Sequence, residues 1–192
     1  MKKHFDIIAS CLLLTLLSVR GFASGYSPTS ITNSVAPYDL TSAWDFQITQ
    51  SFRVTALDFY DSGAANGLLT SHEVGLWTSN GVLLASVTIP AGTAAPLIGN
   101  YRYEAITPII LPPGFYEVGG FVSGSSDKYV IDANGTTLPG ILYQESHVAT
   151  GAFAFAGSQN LISGKQITAN FEVSAVVDVP EPGTGDSFAP ES

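Results

Sequence analysis

Cysteine is nearly absent: one residue in 192, alongside one methionine and three histidines. That cysteine, Cys11, falls in the N-terminal segment, so everything beyond it is free of thiols. Disulfide frameworks, zinc ribbons, iron–sulfur ligation and thiol catalysis are thereby excluded for the rest of the chain. Positive charge is scarce too, with seven Lys and Arg against sixteen Asp and Glu. Amphipathic helical patterning of useful length is missing outside the N-terminus. The apolar stretch from Ile7 to Val19 is too short to span a bilayer comfortably. Stability must therefore come from core burial and strand pairing, which a chain with 45% hydrophobic and 12% charged residues can supply.

What the chain does contain begins with an export signal. Lys2 and Lys3 form a positive n-region, Ile7 to Val19 an apolar h-region, and Gly21-Phe22-Ala23 places small residues at the −3 and −1 positions of a cleavage site. Residues 1–23 are read as a signal peptide and the mature chain as secreted, starting at Ser24. Cleavage removes Lys2, Lys3, Arg20 and Asp6, leaving four basic and fifteen acidic residues and a net charge of −11. Such a surface repels phosphate backbones, so nucleic acid is not an expected partner. It suits extracellular solubility and contact with divalent cations.

The body reads as short strands and tight turns. Gly and Pro are frequent, and Val, Ile, Thr, Phe and Tyr recur in short runs. Residues 24–42 are expected to be an extended lead-in with at most one edge strand. Trp44-Asp45-Phe46-Gln47-Ile48 alternates as the first secure strand. Phe52–Tyr60, Ser71–Trp77 and Val82–Ile89 are expected to form three successive strands of one antiparallel sheet. Asn80-Gly81 should close the second hairpin as a two-residue turn. Tyr101–Ile106, Phe115–Val122, Lys128–Ile131 and Ile141–Tyr143 follow as strands. Gly119-Gly120 predicts a bulge or a close backbone approach. In Ile167–Val177 apolar residues alternate with mostly polar ones, the pattern of a strand buried on one face. The expected fold is an all-β, antiparallel β-sandwich, jelly-roll-like, over residues 43–177, with a flexible tail at 178–192.

No complete catalytic constellation is legible. His72 and His147 are the only histidines of the mature chain, and His72 and Glu73, being adjacent on a strand, should face opposite ways. Ser125-Ser126-Asp127-Lys128 spells Ser-x-x-Lys without its companion motifs, and Gly164-Lys165 has the wrong glycine spacing for a phosphate loop. The protein is not expected to be an enzyme. Calcium is the one cofactor for which the sequence offers a locus: the Gly/Asn loop with Asp61 and Asn66, flanked by Asp58 and Glu73, could supply carboxylate and carbonyl oxygens. Trp77, Tyr101 and Tyr103 are the aromatic rings considered for stacking on a saccharide.

Near the C-terminus the string Val179-Pro180-Glu181-Pro182 resembles the sorting motif of PEP-CTERM proteins of Gram-negative bacteria. Val54–Asp61, Ser71–Trp77, Gly81–Ala85 and Pro90–Gly92 are similar to a β-sandwich domain recurrent in that group. The resemblance spans roughly residues 44 to 182 and implies a secreted protein of the exopolysaccharide or biofilm matrix. In the family a transmembrane helix and a basic cluster follow the motif. Here Gly183 to Ser192 reads as neither, and release without a membrane anchor is the expectation. The expected function is that of a non-catalytic extracellular domain, with extracellular polysaccharide as its partner. The alternative is a polysaccharide hydrolase or lyase, which would present two carboxylates across a cleft, roughly 5–9.5 Å apart.

Overall fold

The computed structural model describes residues 23–174, apart from 64, 125, 126 and 158–160. Residues 1–22, most of the expected signal peptide, and the tail carrying Val179, Pro180, Glu181 and Pro182 lie outside the described residues. The strands are β1 (Ala23–Ser24), β2 (Tyr26–Val35), β3 (Leu40–Ile48), β4 (Phe52–Tyr60), β5 (His72–Thr78), β6 (Leu83–Ile89) and β7 (Leu97–Ile98). They continue as β8 (Tyr101–Leu111), β9 (Gly114–Val122), β10 (Lys128–Thr137), β11 (Ile141–Thr150), β12 (Leu161–Ile162) and β13 (Ala169–Ser174). Among the described residues no helix is long and apolar enough to cross a membrane.

The strands form a five-stranded sheet in the order β1-β13-β4-β8-β7 and a six-stranded sheet in the order β12-β11-β3-β9-β5-β6, while β10 and β2 pair as a separate ribbon. Every pairing is antiparallel. The all-β, sandwich-like architecture expected from strand spacing is what the chain adopts. Between the sheets, Trp44, Phe46, Phe59, Leu76, Val118 and Phe171 are fully buried. Phe46 and Phe171 stack at 4.8 Å, and the Trp44 indole N–H donates to Ala169 C=O at 2.8 Å, fixing one sheet over the other.

Several expectations change. β4 and β5 do not belong to one sheet: β4 lies between β13 and β8, and residues 61–71 carry the chain across to β5. Turn signals reveal where strands end but not which sheet the next strand joins. The β5–β6 connection is longer than two residues. Gly81 N–H donates to Thr78 C=O at 2.9 Å, Thr78 N–H donates to Val82 C=O at 3.0 Å, and Gly81 sits at φ +83°. The extended lead-in does carry an edge strand, but a long one: β2 runs for ten residues against β10, Tyr26 is core, and β3 already starts at Leu40. β3, β10 and β11 all exceed the short strands expected, and β10 continues through Asp132–Gly135, with register shifts after Val130 and after Asn134.

Gly119 and Gly120 make no bulge, because β9 pairs in unbroken register with β3 and β5. They serve close approach: a Cβ on Gly120 would stand 2.8 Å from the Phe59 ring, and one on Gly119 2.9 Å from Ala43 Cβ. β13 is buried on both faces, not one. Its polar face is roofed by the chain leaving β1: Asn170 accepts Tyr26 N–H at 3.1 Å and donates to Tyr26 C=O at 2.9 Å. Residues 175–177 of the expected closing strand are outside the described residues.

Candidate functional site

The residues considered for calcium are dispersed. Asp61 is buried and ion-paired through Oδ2 to Arg102 Nε at 2.7 Å, while its Oδ1 accepts Gly63 N–H at 2.8 Å. Asn66 is exposed in the loop and Glu73 exposed on β5, in the other sheet. Asp58 is buried on β4 beside Glu172 of β13. The aromatic rings do not share a surface either. Trp77 is 4% exposed on the six-stranded sheet, packed against Phe153 at 5.3 Å and Phe155 at 6.4 Å. Tyr101 is buried in the five-stranded sheet and donates its hydroxyl to Ile167 C=O at 2.6 Å, and Tyr103, on the same strand, is half-buried. His72 is a satisfied core residue: its ring nitrogens meet Phe121 C=O at 2.8 Å and Asp127 at 2.9 Å, and it stacks on Phe59. Glu73 faces the other way, as strand alternation requires.

Instead, register brings two acid groupings together. In the first, β13 and β4 pair so that Asp58 lies opposite Asn170 and Glu172 one step along on the same face. Burial holds the Asp58 carboxyl well above its ordinary range, and the neighbouring Glu172 raises it further. Glu172 is raised mainly by burial, against hydrogen bonds with Ser24 and Asp58 that favour its charged form. Neither Asp58 oxygen, nor Glu172 Oε2, meets a donor in good geometry, although the Asn170 N–H lies near enough to favour the Asp58 anion. Two carboxyls in such surroundings are held best with a proton between them.

The second grouping is on the outward face of the six-stranded sheet. β3 presents Trp44 and Phe46 to the core, so Asp45 points away from it. Pairing sets Asp45 opposite Glu117 of β9. On its other side, β11 bulges at Gln144-Glu145, the irregularity between Tyr143 and Ser146, and then presents Glu145 and His147 next to Asp45. His147 Nε2 is 3.2 Å from Asp45 Oδ2 and 3.4 Å from Glu145 Oε1. The segment after β11 folds back as a strap: Ala156 and Gly157 N–H each donate to Glu117 at 2.8 Å, and Ala154 N–H donates to Thr41 Oγ1. Burial is the main cause that pushes Glu117 up to about 7; the Asp45 charge adds to it and the two backbone N–H bonds oppose it. Asp45 is raised by burial and lowered by His147. Asp45, Glu145 and His147 are the group among the described residues whose ligand atoms all lie within 4.8 Å of one another.

Next to this grouping runs an open groove of about 600 Å³ whose walls include Asp132, Asn134, Tyr143, Gln144, Glu145 and Lys165. Lys165 Nζ lies 5.2 Å from the centre of the Tyr143 ring. Neither acid grouping is legible in the sequence. Alternation could assign Asp45 a face, but β3, β9 and β11 are distant in sequence, and only their pairing unites Asp45, Glu117 and His147. Comparison with protein-family models, curated proteins and solved structures finds no match.

Proposed function

We propose that the chain is a secreted, non-catalytic extracellular domain that binds polysaccharide of a matrix or cell surface, as a PEP-CTERM-type protein would. The observation that carries this reading is the groove bordered by β10, β11 and residues 162–165. An open trough lined by carboxylate, amide and ammonium groups beside a tyrosine ring matches a hydroxyl-rich chain better than an apolar or phosphorylated ligand. The strongly negative mature chain points the same way, since it selects against nucleic acid. A glycoside hydrolase sets its two carboxyls across a cleft. Here Asp58 and Glu172, and likewise Asp45 and Glu117, are side-by-side neighbours on paired strands.

The strand orders β1-β13-β4-β8 and β3-β9-β5-β6 support reading the sandwich as a jelly roll, with β10, β11 and β12 inserted before its last strand. A glycan array probed with the mature chain tests the functional reading. Binding to acidic or neutral polysaccharide is expected. Asn134→Ala combined with Gln144→Ala should weaken it about thirtyfold, from two lost hydrogen bonds of about 1 kcal/mol each, without moving the thermal midpoint. Undiminished binding by that double variant would move the ligand elsewhere, and silence across the array would overturn the reading.

A further inference from the structure

We propose that Asp45, Glu145 and His147 form a site for one first-row transition-metal dication, with zinc the ion that best suits the donor set. Glu145 and His147 are two residues apart on β11 and so share a face; Asp45 projects from the adjoining β3. Ligands about 2.0–2.1 Å from a tetrahedral ion stand about 3.3 Å from each other. The separations from His147 Nε2, 3.2 Å to Asp45 and 3.4 Å to Glu145, match that spacing.

These contacts are close enough for ion pairs but lack the angles of good hydrogen bonds. His147 is 1% exposed, yet neither Nδ1 nor Nε2 has a hydrogen-bond partner of acceptable geometry. Buried imidazole nitrogens are rarely left so. An ion at the point where Nε2 and the two carboxylates converge gives Nε2 its partner and neutralises two adjacent negative charges.

The remaining features fit an ion open on one side. Asp45 is 30% and Glu145 48% exposed at the side chain, so a fourth position faces solvent while His147 anchors the floor. Glu117 stands opposite Asp45 in the β3–β9 pairing and is itself held by the Ala156 and Gly157 N–H groups, which gives the site a fixed wall on that side. One nitrogen and two carboxylates favour zinc over calcium, which prefers six to eight oxygens. This site shares Glu145 with the wall of the groove but does not rest on the saccharide reading, nor on the loop around Asp61.

Isothermal titration of the full mature chain with zinc chloride, after removal of adventitious metal by chelator and without saccharide, tests the site. One zinc per chain is expected, no heat from calcium at the same concentration, and a visible absorption band of a four- or five-coordinate ion when cobalt is used instead. Glu145→Gln alters a half-exposed side chain and leaves folding intact; it should weaken zinc at least about tenfold, whereas Glu73→Gln should not. His147→Gln should abolish binding, and if it does not fold, Glu145→Gln alone decides. Absence of zinc binding, or equal affinity in the Glu145→Gln and Glu73→Gln variants, would overturn the proposal.

Discussion

Asp58 illustrates how a single residue sets the response of the fold to pH. A carboxyl raised on folding binds more protons in the native state than in the unfolded chain, between its unfolded and folded pKa values. Stability is then greatest below the unfolded value and falls as pH rises toward the folded one. Asp58 and Glu172 both shift upward, and Glu117 rises to about 7, so stability should decline from about pH 4.5 to pH 7 through Glu117 alone. Asp58→Asn supplies an amide donor to Glu172 and removes a buried charge. It should stabilise by about 1–3 kcal/mol at pH 8 and by much less at pH 4, as urea midpoints at the two pH values will report. An equal effect at both would mean that the carboxyl is not the cause. Phe171→Asp and Asn170→Asp should both be costly, about 3 kcal/mol or more for the first. The second loses the donor to Tyr26 C=O and adds a third carboxyl beside Asp58 and Glu172. A near-neutral Asn170→Asp would restore the one-face reading of β13 that alternation suggested.

Elements differ in how much of them the sequence discloses. Strands with an apolar face and a turn at each end were legible: β4, β5, β6, β9 and much of β13. The ribbon was legible only in part: Lys128–Ile131 marks the start of β10, but Tyr26–Val35 is mostly Ser, Thr and Asn with Pro28 inside, a composition that reads as an extended lead-in with at most an edge strand. Its strand character comes from β10, whose register slips where Pro28 faces Gly135; a Cβ on Gly135 would stand 2.3 Å from Ser27 O. Sheet assignment was likewise invisible, since it depends on which faces meet after the chain has crossed over. Gly120 is the sharpest check on the inter-sheet distance. Gly120→Ala must push against the Phe59 ring at 2.8 Å and Ala169 Cβ at 3.2 Å. It should cost about 1–3 kcal/mol, measured by chemical unfolding, against little for alanine at an open, non-left-handed surface site. A neutral outcome would mean that the sheets lie farther apart.

At the scale of the whole molecule, processing and charge meet at the edge of the five-stranded sheet. Ser24 pairs with Glu172, and its hydroxyl donates to that carboxylate. On the proposed cleavage after Ala23, the new α-ammonium group belongs to this residue, beside an acid pair with no cationic partner of its own among the described residues. A chain beginning at Ser24 should therefore be more stable near pH 7 than the same chain with a neutral N-terminal extension, and Glu172→Gln should shrink the difference. Identical thermal midpoints for the two forms would disconnect the N-terminus from the acid pair.

A domain that holds polysaccharide without cutting it makes one direct demand. The mature chain is incubated with the polysaccharide it retains most tightly, and chain length, reducing ends and unsaturated products are followed over hours. Retention with unchanged chain length and no product is the predicted result. Product that accumulates in proportion to protein, and disappears when Asp45→Asn or Asp58→Asn is introduced, would contradict it and make one of the acid pairs catalytic.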